Sequence, residues 1–195
     1  MPADAALAQS RTIIVRVEDR PGSLNRVVSL FRRRAYNIDS LTVARSEQPG
    51  VSRITLVVRA DPGAAARMEA HLYKLIDVLQ VEEVTEERAV IRELLFVKLN
   101  TRSRNEVLEL CEEFRGRIID MGPSSITLES TGAPEKLDRL IAALRPFEIL
   151  ELCRTGSVAM TRGASDPGST NFLPSNPSRS PALHPHANPG TPGEV

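Results

Sequence analysis

Charge of one sign is missing from this sequence: 25 basic residues balance 25 acidic ones, so no global field exists to hold nucleic acid or an anionic membrane surface. Long hydrophobic runs are missing too. The apolar stretches reach only a few residues, against the roughly 20 needed to span a bilayer, and the N-terminus lacks the basic-then-apolar layout of a signal peptide. These absences point to a cytoplasmic protein that engages neither nucleic acid nor membrane. Cysteine and histidine are scarce. Cys111 and Cys153 each fall in an apolar-periodic segment, with no CxxC and no His at ligand spacing beside them, and read as core residues that behave as small hydrophobes. His71 sits in a helical pattern, and His184 and His186 sit in a Pro-rich stretch. No metal site, cofactor site or catalytic nucleophile–base pair is expected in this chain.

What is present suffices for one or two real cores, with 41% hydrophobic residues in a chain of 195. Half of the 14 prolines fall after Gly163, where Pro, Ser, Asn and Gly replace the periodic apolar residues. Such a segment buries too little apolar surface to offset an ordering cost of roughly 1–2 kcal/mol per residue. Residues 163–195 are therefore expected to be disordered, and residues 1–10 to be a loose lead-in.

Between these ends the apolar period alternates. Ile13, Val15 and Val17 recur every second residue, as on a strand; Leu24, Val27, Val28 and Phe31 follow at the spacing of an amphipathic helix. Leu41 and Val43, a Gln48-Pro49-Gly50 turn, and Ile54, Leu56 and Val58 read as a hairpin. Asp61-Pro62-Gly63 opens a second helix with a stripe of Met68, Leu72, Leu75, Ile76 and Leu79, before a short strand from Val81 to Val84. The order is β-α-β-β-α-β.

The order then starts again. Leu94–Leu99 reads as a strand, and Val107, Leu110, Cys111 and Phe114 repeat the first helical stripe at an offset of 83 residues, so that Phe31 meets Phe114 and Asn37 meets Asp120. Ile126–Leu128 is the third strand, Leu137, Leu140, Ile141 and Leu144 mark the second helix, and Phe147–Leu152 is the last strand. The fold class is α+β: two tandem ferredoxin-like modules, residues 11–88 and 89–162, each an antiparallel four-stranded sheet with both helices on one face. The other face, which in the first module carries Thr55 and Val57, has no helices to cover it. Pairing of modules, within or between chains, is the expected remedy.

The turn after the first strand, Glu18-Asp19-Arg20-Pro21-Gly22-Ser23, runs straight into a helix. Pro in a first turn costs no hydrogen bond, Gly22 removes the Cβ that would hold a ligand off the backbone, and free N–H groups at the positive end of the helix dipole suit a carboxylate. An amino acid would fit if its ammonium met Asp19. A Pro-Gly turn opening a helix is also common as plain structure. The equivalent turn of the second repeat, Asn100-Thr101-Arg102-Ser103-Arg104, has neither Gly nor Pro, so the fold does not need the pair there.

A strand ending in Glu-Asp-Arg-Pro-Gly-Ser-Leu resembles the ligand loop of ACT domains, the amino-acid-sensing modules of metabolic enzymes. More specifically, Gly22-Ser23-Leu24-Asn25-Arg26-Val27, Tyr36-Asn37-Ile38-Asp39-Ser40-Leu41-Thr42-Val43-Ala44, Leu75-Ile76-Asp77-Val78-Leu79, Arg92-Glu93-Leu94, Phe114-Arg115-Gly116-Arg117-Ile118-Ile119-Asp120 and Arg154-Thr155-Gly156-Ser157 resemble the small regulatory subunit of acetohydroxyacid (acetolactate) synthase. The resemblance covers about residues 11–163. It implies a non-catalytic chain that activates a large catalytic subunit in branched-chain amino-acid biosynthesis and confers feedback inhibition by valine, and in some members by leucine or isoleucine. Thiamine diphosphate, Mg²⁺ and FAD would belong to that partner. It further implies a homodimer with the effector at an interface between two first modules. By position, the effector residues are Asp19, Pro21, Gly22, Ser23 and Leu24 of one loop with Asn37 and Ile38 of the other chain. Asp19 and Pro21 depart from the better-known pattern, which has Asn and a non-proline residue there. A free-standing ACT sensor acting on another enzyme or on a transcription regulator is the alternative.

Overall fold

The computed structural model describes residues 9–84 and 88–163. The tail expected to be disordered lies, after Gly163, outside the described residues.

The first module runs β1 (Gln9–Glu18), α1 (Ser23–Arg33), β2 (Ile38–Arg45), β3 (Val51–Ala60), α2 (Pro62–Leu72) and β4 (Val78–Val84). Its four strands lie in the order β2-β3-β1-β4, all neighbours antiparallel. The second module runs β5 (Ala89–Asn100), a 3-10 turn at Thr101–Ser103, α3 (Arg104–Glu113), β6 (Arg117–Met121), β7 (Ser125–Gly132), α4 (Pro134–Leu144) and β8 (Ile149–Arg154), with β9 (Val158–Thr161) after it. Strands β6-β7-β5-β8 repeat the order of the first sheet, and β9 pairs with the start of β5. The two ferredoxin-like sheets are thus as the alternating periods require. β1 begins two residues inside the stretch read as loose.

Each core sits between one sheet and its two helices. Alternation sends Ile13, Val15 and Val17 of β1 and Ile54, Leu56 and Val58 of β3 inward against Val27, Phe31, Met68 and Leu72. In the second module Leu95, Val97 and Leu99 meet Val107, Cys111, Leu137, Leu140 and Leu144. Burial pushes the Cys111 thiol pKa up, aided by Glu112, as suits a packed rather than a reactive sulfur. Turn chemistry is as the residues demand. The Asp61 carboxylate caps α2 by accepting from the Ala64 N–H at 2.7 Å, with Pro62 at the first helical position. Gly50 takes the left-handed conformation (φ 76) in the β2–β3 turn.

Cys153, read as a core residue like Cys111, is exposed on β8, where it lies outside the second core. Three features of the elements also differ from the sequence reading. First, α2 stops at Leu72, with His71 in its last turn; Leu75 packs on the core from a loop, Ile76 is 58% exposed, and Leu79 belongs to β4. The stripe continued past the helix only because apolar residues of the loop and of β4 fall by chance at helical spacing. Second, the helical repeat is offset by 80 residues, not 83. Val27 and Phe31 are buried as Val107 and Cys111 are, and both helices end in a left-handed residue, Ala35 (φ 56) and Arg115 (φ 51). The next N–H closes onto Phe31 and Cys111 respectively, Tyr36 at 3.0 Å and Gly116 at 2.7 Å. A stripe with three- and four-residue steps also matches itself when slid by three, and burial breaks the tie. Leu24 and Val28, assigned to the core stripe, are consequently exposed at 39% and 36%. Third, β6 and β9 are strands that the periodicity did not reveal.

The bare face of the first sheet is covered from within the chain. The ribbon of Ala89–Arg92 with β9 lies across it, burying Ala89 and Ala159 against Ile14 and Val84, with Ile91 beside them. Thr55, on that face, is only 3% exposed. Arg53 donates to the Ala159 carbonyl at 2.6 Å; burial, and then Arg16, hold its guanidinium pKa below the usual value.

The revised end of α2 separates two residues that the helical stripe treated alike. Leu72→Ala should destabilise the chain by about 2–5 kcal/mol, whereas Ile76→Ala should stay within about 0.5 kcal/mol. Urea unfolding of both variants measures this; equal losses would restore the longer helix.

Candidate functional site

The loop from Glu18 to Ser23 is held at its start by backbone bonds to two other segments. The Glu18 N–H donates to the Asp77 carbonyl (2.9 Å) and the Asp19 N–H to the Gly50 carbonyl (2.8 Å), which pins the loop between β4's approach and the β2–β3 turn. Gly22 caps α1 in the left-handed conformation (φ 90), and no side chain caps the helix. The Ser23 N–H turns back to Arg20 (3.2 Å), while the following N–H groups face outward at the positive end of the dipole. A Cβ at position 22 would lie 3.2 Å from an Arg26 guanidinium nitrogen, and Arg26 is itself held to the buried Asp77 carboxylate at 3.1 Å.

Two side chains of the loop stand out. The Ser23 hydroxyl is buried with no hydrogen-bond partner among the described residues, which costs stability unless a ligand completes it. Asp19 is exposed; its carboxylate accepts from the Ser52 hydroxyl at 3.0 Å and meets Arg45 at 3.7 Å. An ammonium reaching Asp19 displaces only a solvent-exposed ion pair, which is worth little.

Asn37 and Ile38 are elsewhere. Ile38 pairs with Val58 on β3, whereas the loop lies by Val51. Seven residues at about 3.3 Å each separate them by roughly 23 Å along the sheet. Within one chain, therefore, Asp19, Pro21, Gly22, Ser23 and Leu24 form one cluster, and Asn37 and Ile38 form another at the opposite end. The Asn37 amide donates to Asp39 at 3.0 Å, and Asp39 pairs with Arg59 at 3.2 Å.

A second constellation was visible in sequence only as the run Arg154-Thr155-Gly156-Ser157. A cavity of about 760 Å³ separates the back of the first sheet from the second module, lined among others by Thr12, Ser40, Arg59, Glu93, Asp138 and Arg154. On its wall the buried Glu93 accepts from the Ser157 hydroxyl (2.6 Å) and pairs with Arg154, which also reaches Asp138 (2.6 Å). Burial opposes the charge on Arg154, but its bonds to Asp138 and Glu93 win and hold the guanidinium pKa above its usual value. Gly156 hints at close approach, but a sequence cannot say to what. Among the described residues, no group of three or more His, Cys, Asp or Glu is positioned to hold a metal ion, and no helix is long and apolar enough to cross a membrane.

Known proteins share the sequence pattern of both modules and the fold. Residues 13–80 match a family model described as an AHAS small subunit-like ACT domain, and residues 92–163 match one described as the small subunit of acetolactate synthase. The probable acetolactate synthase small subunit of Methanothermobacter thermautotrophicus is 44% identical over 151 residues, covering 76% of this chain and 90% of that one. The acetolactate synthase small subunit of Mycolicibacterium smegmatis is 40% identical over 156 residues, covering 79% and 92%. Among solved structures, the acetolactate synthase small subunit of Thermotoga maritima superposes with a TM-score of 0.76 at 35% identity, covering 80% of this chain and 99% of that one. With both modules matched and nearly the whole length of these relatives spanned, the chain belongs to the acetolactate synthase small-subunit family.

Proposed function

We propose that this chain does no chemistry itself, activates a larger catalytic subunit of acetolactate synthase, and makes it sensitive to feedback by a branched-chain amino acid, valine foremost. The effector sits where two copies meet. In this reading, thiamine diphosphate, Mg²⁺ and FAD reside in the catalytic subunit. The division at residues 88 and 89 marks off the effector-binding module from the second.

The observation that carries this reading is the separation of the two clusters along an open edge strand. Among the described residues β2 has a neighbour on one side only, and its exposed Val43, with Leu24 and Val28 on α1, offers apolar surface to a partner. A two-fold axis that pairs β2 antiparallel with its own copy sets the Arg45 end of one strand beside the Ile38 end of the other. That brings the loop of one chain, tied to Arg45 through Asp19, up to Asn37 and Ile38 of the second. The first-turn N–H groups then take the effector's carboxylate, Asp19 its ammonium, and the Ser23 hydroxyl gains a partner.

Calorimetric titration with valine, leucine and isoleucine should show binding to the dimer, and Gly22→Asp should weaken it at least about tenfold, since a side chain there is strained and crowds Arg26. No binding to the wild-type chain would sink the effector assignment. Ser23→Ala should leave the melting temperature unchanged or raise it, because the lost hydroxyl is buried and unbonded, yet weaken the effector; a large loss of stability would make Ser23 structural instead. Reconstitution with the cognate large subunit should raise acetolactate formation, and valine should lower it again. An unaltered rate in both cases would favour a free-standing sensor.

A further inference from the structure

We propose that the Thr155-Gly156-Ser157 segment is a coupling strap that passes the state of β2 to the second module; this rests on the preceding assignment of Asn37 and Ile38 as effector residues. β2 presents three surfaces: its first residues to the effector, its edge to the second copy, and its back to the strap. Leu41 packs on the core while Ser40 and Thr42, one step either side, point to the back of the sheet. There the Thr42 hydroxyl donates to the Ser157 carbonyl at 2.9 Å, and the Ser157 N–H approaches the Ser40 hydroxyl at 3.4 Å. Gly156, left-handed at φ 79, comes so near that a Cβ on it would be 3.0 Å from the Ser40 Cβ. Only glycine meets both demands, the dihedral and the approach.

From the strap the path continues without a gap. The Ser157 hydroxyl donates to one oxygen of Glu93, Arg154 pairs with the other, and Arg154 donates on to Asp138 and to the Pro134 carbonyl (3.3 Å) in the first turn of α4. Glu93 is 6% exposed, so withdrawing either partner leaves a buried carboxylate underbonded, which is strongly unfavourable. Such a network moves as a body or breaks; it does not stretch. The cavity beside it, bounded by Asp39, Ser40 and Arg59 on one wall and Glu135 and Asp138 on the other, leaves room for that movement. An effector that takes the Asn37 amide also frees Asp39 from it. Asp39 directly precedes Ser40, and the register shift between Ile38 and Ser40 lets both line the same cavity, so the effector and the strap act on the same short stretch of β2.

The test uses the full chain reconstituted with its catalytic subunit, comparing wild type with Ser157→Ala, Thr42→Val and Ser157→Thr. If the strap couples the sites, both deletions bind valine within about threefold of wild type but need at least about fivefold more valine for half-inhibition, while Ser157→Thr, which keeps the hydroxyl, behaves as wild type. Unchanged inhibition curves with intact binding would overturn the proposal, as would loss of valine binding itself. A second measurement needs no effector: amide hydrogen exchange over Ser40–Thr42 should quicken in Ser157→Ala, and unchanged exchange overturns the strap. If wild type binds no amino acid, the effector assignment fails and the exchange result alone decides whether the strap holds β2.

Discussion

Everything in this molecule turns on the bare back of the first sheet. A βαββαβ module puts both helices on one face, so the other must find a cover or remain a wet surface of mixed residues. Here the chain supplies the cover from its own two ends of the second module: the start of β5 and the short β9 form a ribbon whose Ala89 and Ala159 settle on Ile14 and Val84. The cover is small and apolar at its centre, and polar at its margin, where Arg53, Thr42 and Ser40 bond to backbone atoms of residues 157–159. Because the ribbon begins and ends the second module, covering the first sheet and orienting the second module are one event.

This places an unusual load on β2. As an edge strand it has one side unpaired among the described residues, and edge strands are normally blunted by charge or by pairing. Asp39 and Arg45 supply some charge, but Val43 remains exposed. The loop that opens α1 lies at the same strand's far end, where Asp19 meets Arg45, while Asn37 and Ile38 lie at the strand's near end. A strand used for pairing, for ligand contact and for holding the second module is a natural meeting point for regulation, since a small shift along it is felt in all three places.

The loop itself illustrates what sequence can and cannot disclose. Gly22 and Pro21 announced a helix start open to a ligand, and the left-handed Gly22 with its uncapped helix is that feature in three dimensions. The buried, unbonded Ser23 hydroxyl is the stronger sign of a ligand, yet a serine beside a glycine looks the same in sequence whether its hydroxyl is wet or buried. Likewise Asp61-Pro62-Gly63 and Gln48-Pro49-Gly50 were legible because turn and cap chemistry is local, decided by the dihedrals and side chain of one or two residues.

Local rules thus determined a good deal: the alternation of strand and helix, their repetition, the turns, and the motifs that mark the family. Tertiary structure decided the rest. It chose between two alignments of the repeat that differ by three residues, ended α2 at Leu72, exposed Leu24 and Val28, and brought Gly156 against Ser40. The reason is common to all four. A period constrains which residues share a face, but only contact with another element says which face is buried and where it stops, and the partners concerned, such as residues 40 and 156, lie too far apart in the chain for any pattern to link them.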